Sequence, residues 1–258
     1  MKRRASGKAV EVSRLRIPLS KVIALDPHER YAYYMLGHFF NELMFMQKLL
    51  KFAIPTHDDT RPFRQQPEMG QTMFVFRLAA GKLFEAKLAL NKEIMSAVLR
   101  RSFLPLVPNA NVRMREFNRS TEKAKWLAGL RNEHSFHYPP YEQWSAVVEP
   151  SDTWTGDDIF MANQSGNVFY AGSDALAQHW MFGQLNSENP REAVVPMIDS
   201  LIDFLGQFNS LVEDILGAFI GTRLVPAGER AMPVGSVVSP QFESVRLPFW
   251  TDMPKAKG

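Results

Sequence analysis

From Val195 to Leu216 the apolar residues fall at three- and four-residue steps: Val195, Ile198, Leu201, Ile202, Leu205, Phe208, Val212, Ile215 and Leu216. On a helix of about 3.6 residues per turn this spacing draws one continuous apolar stripe, which has to be buried against other elements. Asn189-Pro190-Arg191-Glu192 supplies a cap, a proline suited to the first turn and an early acidic residue, so the helix is predicted to start there and to run to about Ile220. Pro196 is expected to bend its first turns.

The same logic recurs upstream. Asp26-Pro27-His28-Glu29 reads as a helix start, with Asp26 capping and Glu29 closing a capping box; the helix should end at Ile54, before Pro55. Leu36, Phe39, Phe40, Leu43, Met44, Met46, Leu49 and Leu50 make it apolar on more than one face, which places it inside a bundle. Thr56 to Pro67 reads as a loop. A second long helix is predicted from Met69 to about Arg101, with Phe76, Leu83, Leu90 and Ala97 recurring at sevens. A third runs from about Asn111 to Tyr138, broken near Ser120, which can cap the piece carrying Trp126, Leu127 and Leu130.

Residues 141–188 change character. Ile159–Ala162 and Val168–Ala171 flank a Gly-containing turn, the pattern of a β-hairpin, and a short helix is predicted after it, from Ser173 to Phe182. The first 25 residues lack periodicity and read as a basic, mobile arm. Residues 223–258 are rich in Pro and Gly and read as an irregular tail laid on the bundle. The expected fold class is therefore all-α: a four-helix bundle over residues 26–222, with an inserted β-hairpin at about 141–188 and an irregular C-terminal tail.

Composition narrows the chemistry. The chain has no cysteine, so disulfides and thiolate metal sites are excluded, and a reducing, cytoplasmic setting is expected. Met1-Lys2-Arg3-Arg4 looks like the start of an export signal, but Lys8, Glu11, Arg14 and Arg16 interrupt the apolar run that such a signal needs. The most apolar stretch, Tyr31 to Ile54, carries His38, Asn41, Glu42, Gln47, Lys48 and Lys51, too polar a load for a membrane span. The net charge of +3 conceals an asymmetry: residues 82–131 hold eleven basic and four acidic side chains, residues 132–258 six and sixteen. The basic segment is suited to a polyanion; equally, the acidic half can neutralise it within the fold or across a dimer.

Chemistry concentrates in Arg131-Asn132-Glu133-His134-Ser135-Phe136-His137-Tyr138, which Pro139 and Pro140 terminate. A guanidinium is a planar donor matched to phosphate, and an imidazole moves a proton near neutral pH. Arg100, Arg101, Arg113, Arg115 and Arg119 lie nearby in sequence, either as a solvated face or as the wall of an RNA groove.

Arg131 followed directly by Asn132, with His137 after five intervening residues and Tyr138 beside it, near a helix end in an all-helical chain, resembles the motif of the HEPN superfamily. The resemblance covers roughly residues 26–140 and 190–220. It implies a metal-independent, cofactor-free endoribonuclease acting on RNA, usually as a homodimer whose two motifs face each other, and often a toxin or phage-defence component with an antitoxin or effector as partner. In that reading His137 moves protons, Arg131 holds the phosphate, Asn132 orients a phosphate oxygen or the imidazole, and Tyr138 stacks on a base. It also allows a non-catalytic relative that binds nucleotide or RNA, or holds a dimer. A helical interaction protein with no nucleic-acid role is a third possibility.

The residues themselves leave alternatives. On a continuous α-helix, positions six apart point about 120° away from each other, so Arg131 and His137 meet only if the helix unwinds before Pro139 or if they come from two subunits. His134 shares a face with Arg131 more readily and is the reserve candidate, with Tyr138. His134 and His137 also have the spacing of a helical metal pair, but no third ligand lies near. Arg131 can instead pair with an acid inside the bundle, and His137 with Tyr138 can simply end a helix.

Overall fold

The computed structural model describes residues 7–57, 59–134, 138, 140–142, 145, 157–163, 166–185, 190–226 and 228–252. The chain is mainly helical, with two small two-stranded sheets among the described residues. In chain order come β1 (Lys8–Arg14), α1 (Leu19–Ile23), α2 (Pro27–Ala53), α3 (Pro62–Asn91) and α4 (Glu93–Val98). A π turn, Leu99–Phe103, leads through a short 3-10 turn to α5 (Ala110–Lys123) and α6 (Lys125–Gly129). A second π turn, Leu130–His134, succeeds α6. Beyond it lie β2 (Ile159–Met161), β3 (Val168–Tyr170), α7 (Ala171–Leu185), α8 (Pro190–Phe219) and β4 (Met232–Ser239).

α8 packs as its periodicity requires. Leu201, Leu205, Phe208, Val212, Ile215 and Phe219 are buried, and only Val195 of the predicted stripe turns strongly outward. Ring contacts join it to its neighbours. Phe219 stacks on Phe103 with centroids 4.0 Å apart, Phe208 meets Phe117 of α5 edge-on at 5.7 Å, and Phe204 stacks on Trp126 of α6, which stacks in turn on Phe76 of α3. Such pairs add about 0.5–1.5 kcal/mol each beyond area burial.

α3 is more enclosed than α2. Phe76, Ala79, Ala80 and Leu83 are wholly buried, and small residues at 79, 80 and 81 let neighbouring helices approach closely. α2 buries one stripe, Ala32, Leu36, Phe39, Leu43 and Leu50, and leaves Tyr31, Tyr34, Phe45 and Leu49 exposed. Asp26 caps it as expected, accepting from the His28 N–H at 3.0 Å and the Glu29 N–H at 3.4 Å. The Glu29 side chain does not close the box in the expected way; it is buried and accepts from Arg223 at 3.5 Å.

Several boundaries differ from expectation. The predicted loop to Pro67 is helical from Pro62 onward, with Pro67 inside α3. Proline removes the N–H that would have bonded the carbonyl of Phe63; the Trp250 indole N–H donates to that oxygen instead, at 2.9 Å. The second helix breaks at Lys92, where extended backbone separates α3 from α4. The third breaks at Ala124 rather than near Ser120.

The arm and the tail are also more ordered than predicted: β1 and β4 pair antiparallel, from Lys8 opposite Ser239 to Arg14 opposite Met232. A register shift after Val12 leaves Val234 as an extra residue, beside Pro233, which cannot donate to a ladder. After β4 the tail lies along the helices, as expected: the Leu247 N–H donates to Phe52 O at 2.9 Å and Arg246 Nε to Thr56 Oγ1 at 2.7 Å. The hairpin forms where predicted, with Phe160 opposite Phe169 and Gly166 at φ 87° in the turn. Asn167, buried at its end, exchanges two hydrogen bonds with the backbone of Thr251.

Candidate functional site

Leu127 and Leu130 are fully buried, which fixes the end of α6 and turns the next residue, Arg131, toward the surface. Arg131 lies in the π turn rather than in regular α-helix. π turns widen a helix by one residue and are frequent at functional sites. Whether the helix unwinds enough to bring His137 round to Arg131 falls on residues 135–137, which lie outside the described residues; Tyr138 is not helical.

Arg131 donates from Nε to Glu85 Oε1 at 2.5 Å and from Nη1 to Asn132 Oδ1 at 3.0 Å. Its side chain is 40% exposed and that of Glu85 47%, so this is a surface ion pair that a stronger anion can compete for. Asn132 is exposed and orients the guanidinium from one side. His137 lies outside the described residues, and of His134 only the backbone is described. Tyr138 is almost fully exposed and stands near Arg77 of α3, two turns from Glu85. It does not line the groove that Arg131 lines.

That groove, of about 530 Å³, brings in residues from α2 and α3 that the motif does not contain. Tyr31, His38 and Glu42 come from one wall, Lys82 and Glu85 from the other, and Lys92 from the break after α3. Lys82 Nζ donates to Glu42 Oε1 at 2.9 Å, and His38 Nε2 lies 3.6 Å from Glu42 Oε2. Three cations therefore face two carboxylates, with His38 as an exposed imidazole that has no place in the sequence motif. Its only sequence signal is its place on the outer face of α2, one turn before Glu42.

The five other arginines separate. Arg101 Nη2 lies 3.4 Å from Asp26 Oδ1, at the start of α2. Arg113 ties α5 to α8 through Asp214 at 2.6 Å and Ser210 at 3.0 Å. Arg100 and Arg115 converge on one pocket, between the first π turn and α5. Arg119 is exposed and stands outside that pocket.

A third cavity, of about 310 Å³, lies between α3, the hairpin and α7 and holds Asp158, Asp174 and Gln178. Burial pushes the Asp174 carboxyl above its ordinary range, against a hydrogen bond from Gln178 and the nearby Arg77 guanidinium, and burial likewise pulls Arg77 down. A Cβ on Gly70 would stand 2.9 Å from Asp174 Oδ2, so glycine is what lets this carboxylate reach α3. Among the described residues no group of three or more His, Asp or Glu side chains is placed to hold a metal ion, and no helix is long and apolar enough to cross a membrane.

Compared with models of protein families, with curated proteins and with solved structures, the chain matches none.

Proposed function

We propose that this chain is a metal-independent endoribonuclease of the HEPN type, its bundle formed by α2, α3, α5–α6 and α8. The observation that carries the reading is the setting of Arg131: part-exposed, oriented by Asn132, and facing a groove that Lys82 and Lys92 also line. The groove's three cations outnumber its two carboxylates, and that surplus favours an anionic ligand over a neutral one.

RNA brings its own nucleophile. The 2′-oxygen attacks the adjacent phosphorus, the new O–P bond forms as the P–O5′ bond breaks, and the products carry a 2′,3′-cyclic phosphate and a 5′-hydroxyl. One proton leaves the 2′-hydroxyl and one is delivered to the departing 5′-oxygen, the work assigned to His137. Arg131, displaced from Glu85 by the phosphate, stabilises the charge that gathers on the non-bridging oxygens. Asn132 fixes the guanidinium, Tyr138 offers an exposed ring for base stacking, and a homodimer places two such motifs together. An antitoxin or effector protein would act by covering this groove.

The pairing of Arg131 with Glu85 favours a second reading, a relative that binds RNA or nucleotide without cleaving it. One experiment separates them: incubation with structured and unstructured RNA in EDTA, beside Arg131→Ala and His137→Ala. Cleavage leaving cyclic phosphate ends, lost in both variants, supports the nuclease. Binding without cleavage supports the second reading, and neither binding nor cleavage defeats both.

A further inference from the structure

The pocket holding Arg100 and Arg115 shares no residue with the Arg131 groove. It measures about 500 Å³, within the ~300–1,000 Å³ typical of small-ligand sites. Its cations are these two guanidiniums, and no carboxylate lines it. Among the described residues neither arginine has an ion-pair partner, unlike Arg101 and Arg113. Arg115 and Arg119 also stand one turn apart on α5, a like-charge spacing that weakens a helix slightly.

The rest of the wall is amide and hydrocarbon. Asn91 and Asn118 hold each other by reciprocal side-chain bonds of 3.1 and 3.2 Å, and Asn91 also donates to the Lys87 carbonyl at 2.9 Å. This fixes both amides and leaves Asn118 with one N–H to donate. Asn111, one turn before Arg115, presents a further amide, and Leu99 and Leu104 give an apolar floor.

We propose that this pocket binds a phosphomonoester: the 5′-phosphate of a nucleotide, free or at the end of an RNA strand. The charge count selects the ligand. A phosphomonoester carries about −1.5 to −2 near pH 7, matching two unpaired guanidiniums in a site without carboxylates, whereas an internal phosphodiester carries one charge. Arg100 and Arg115 take the phosphate oxygens, and Asn111 and the free N–H of Asn118 meet the sugar or base. The site is independent of the nuclease reading and stands if Arg131 has no catalytic role.

Binding is measured by calorimetry with the full chain, using a 5′-phosphorylated RNA oligonucleotide, the same strand with a 5′-hydroxyl, adenosine 5′-monophosphate, adenosine and inorganic phosphate. The expected result is at least tenfold tighter binding of a phosphorylated probe than of its unphosphorylated counterpart. Preference within the oligonucleotide pair alone assigns the strand end, and preference within the adenosine pair assigns the free nucleotide. Arg100→Gln with Arg115→Gln removes the preference while the circular dichroism spectrum is kept; Arg119→Gln preserves it. Asn118→Asp, of equal size, abolishes it by placing a carboxylate in the wall. Equal binding within both pairs, no binding of any probe, or a preference that survives the double variant or is lost equally in Arg119→Gln overturns the proposal.

Discussion

The indole N–H of Trp250 donates to the carbonyl of Phe63 at 2.9 Å, and that oxygen is the one Pro67 leaves without a helical partner. The two residues are 187 positions apart in sequence, so the tail completes a hydrogen-bond ladder it does not belong to. Trp250→Phe keeps an aromatic ring beside Phe249 but removes the donor, and should destabilise the chain by roughly 0.5–1.5 kcal/mol. In a Pro67→Ala background the helix supplies its own N–H to the Phe63 carbonyl, and the same tryptophan substitution should cost nearly nothing. Urea denaturation of the four-variant cycle reads this directly; equal losses in both backgrounds would mean the bond contributes nothing specific.

Thr72, 1% exposed, donates its hydroxyl toward two carbonyls, Ala53 O at 2.7 Å and Glu68 O at 2.9 Å. The first marks the last residue of α2, whose orphan carbonyls need partners. Thr72→Val keeps the shape and strips the hydroxyl, so a loss of about 1–3 kcal/mol is expected. Thr72→Ser should retain most of it. A Val variant as stable as wild type in denaturant melts would contradict this assignment.

Asp174 gives a pH signature. Burial holds its folded-state carboxyl above the ordinary value, so the folded chain binds this proton more firmly than the unfolded chain. Stability from this group therefore falls as pH rises from the unfolded value through the raised folded one. Asp26 and Asp59 run the other way. For Asp26, desolvation is outweighed by the N–H groups of His28 and Glu29 and by Arg101; for Asp59, hydrogen bonds from Arg61 dominate. Their contribution is present above the ordinary carboxylate value and is lost as pH falls below it. Asp174→Asn should gain stability relative to wild type across the Asp174 window. An NMR titration placing Asp174 at or below an ordinary aspartate would defeat the prediction.

Glu85 restrains Arg131, and the pair is exposed enough for its net worth to be about 0–1 kcal/mol. Glu85→Gln should leave the thermal midpoint nearly unchanged while raising RNA affinity several-fold in filter binding at fixed salt. Weaker binding by Glu85→Gln would show that the carboxylate positions the arginine rather than competing for it.

Several local signals in the sequence hold, while the long-range ones are silent. The α8 stripe, the Asp26 cap and the 159–170 hairpin are written in residues a few positions apart. Pro67 reads as a helix boundary because its remedy, Trp250, lies at the far end of the chain. Val10 and Val12 are too short an alternation to announce a strand by themselves, and their partners from 232 to 239 contain Pro233 and Gly235, which hide the period. At the site, Arg131 and Asn132 are legible as a pair. His38 is not, because only the packing of α2 against α3 brings it to the same groove. Nor can sequence alone separate Arg100 and Arg115, which open on a pocket, from Arg113, which is spent holding α5 to α8.

Because β1 pairs with Met232–Ser239, a ribosome must make all the intervening helices before Lys8–Arg14 can find this mate. Until then that valine-bearing, positively charged segment has no β4 to cover its hydrogen-bonding edge. Its pairing therefore waits on the synthesis of Met232–Ser239, and a truncation that removes them leaves β1 with an unpaired edge.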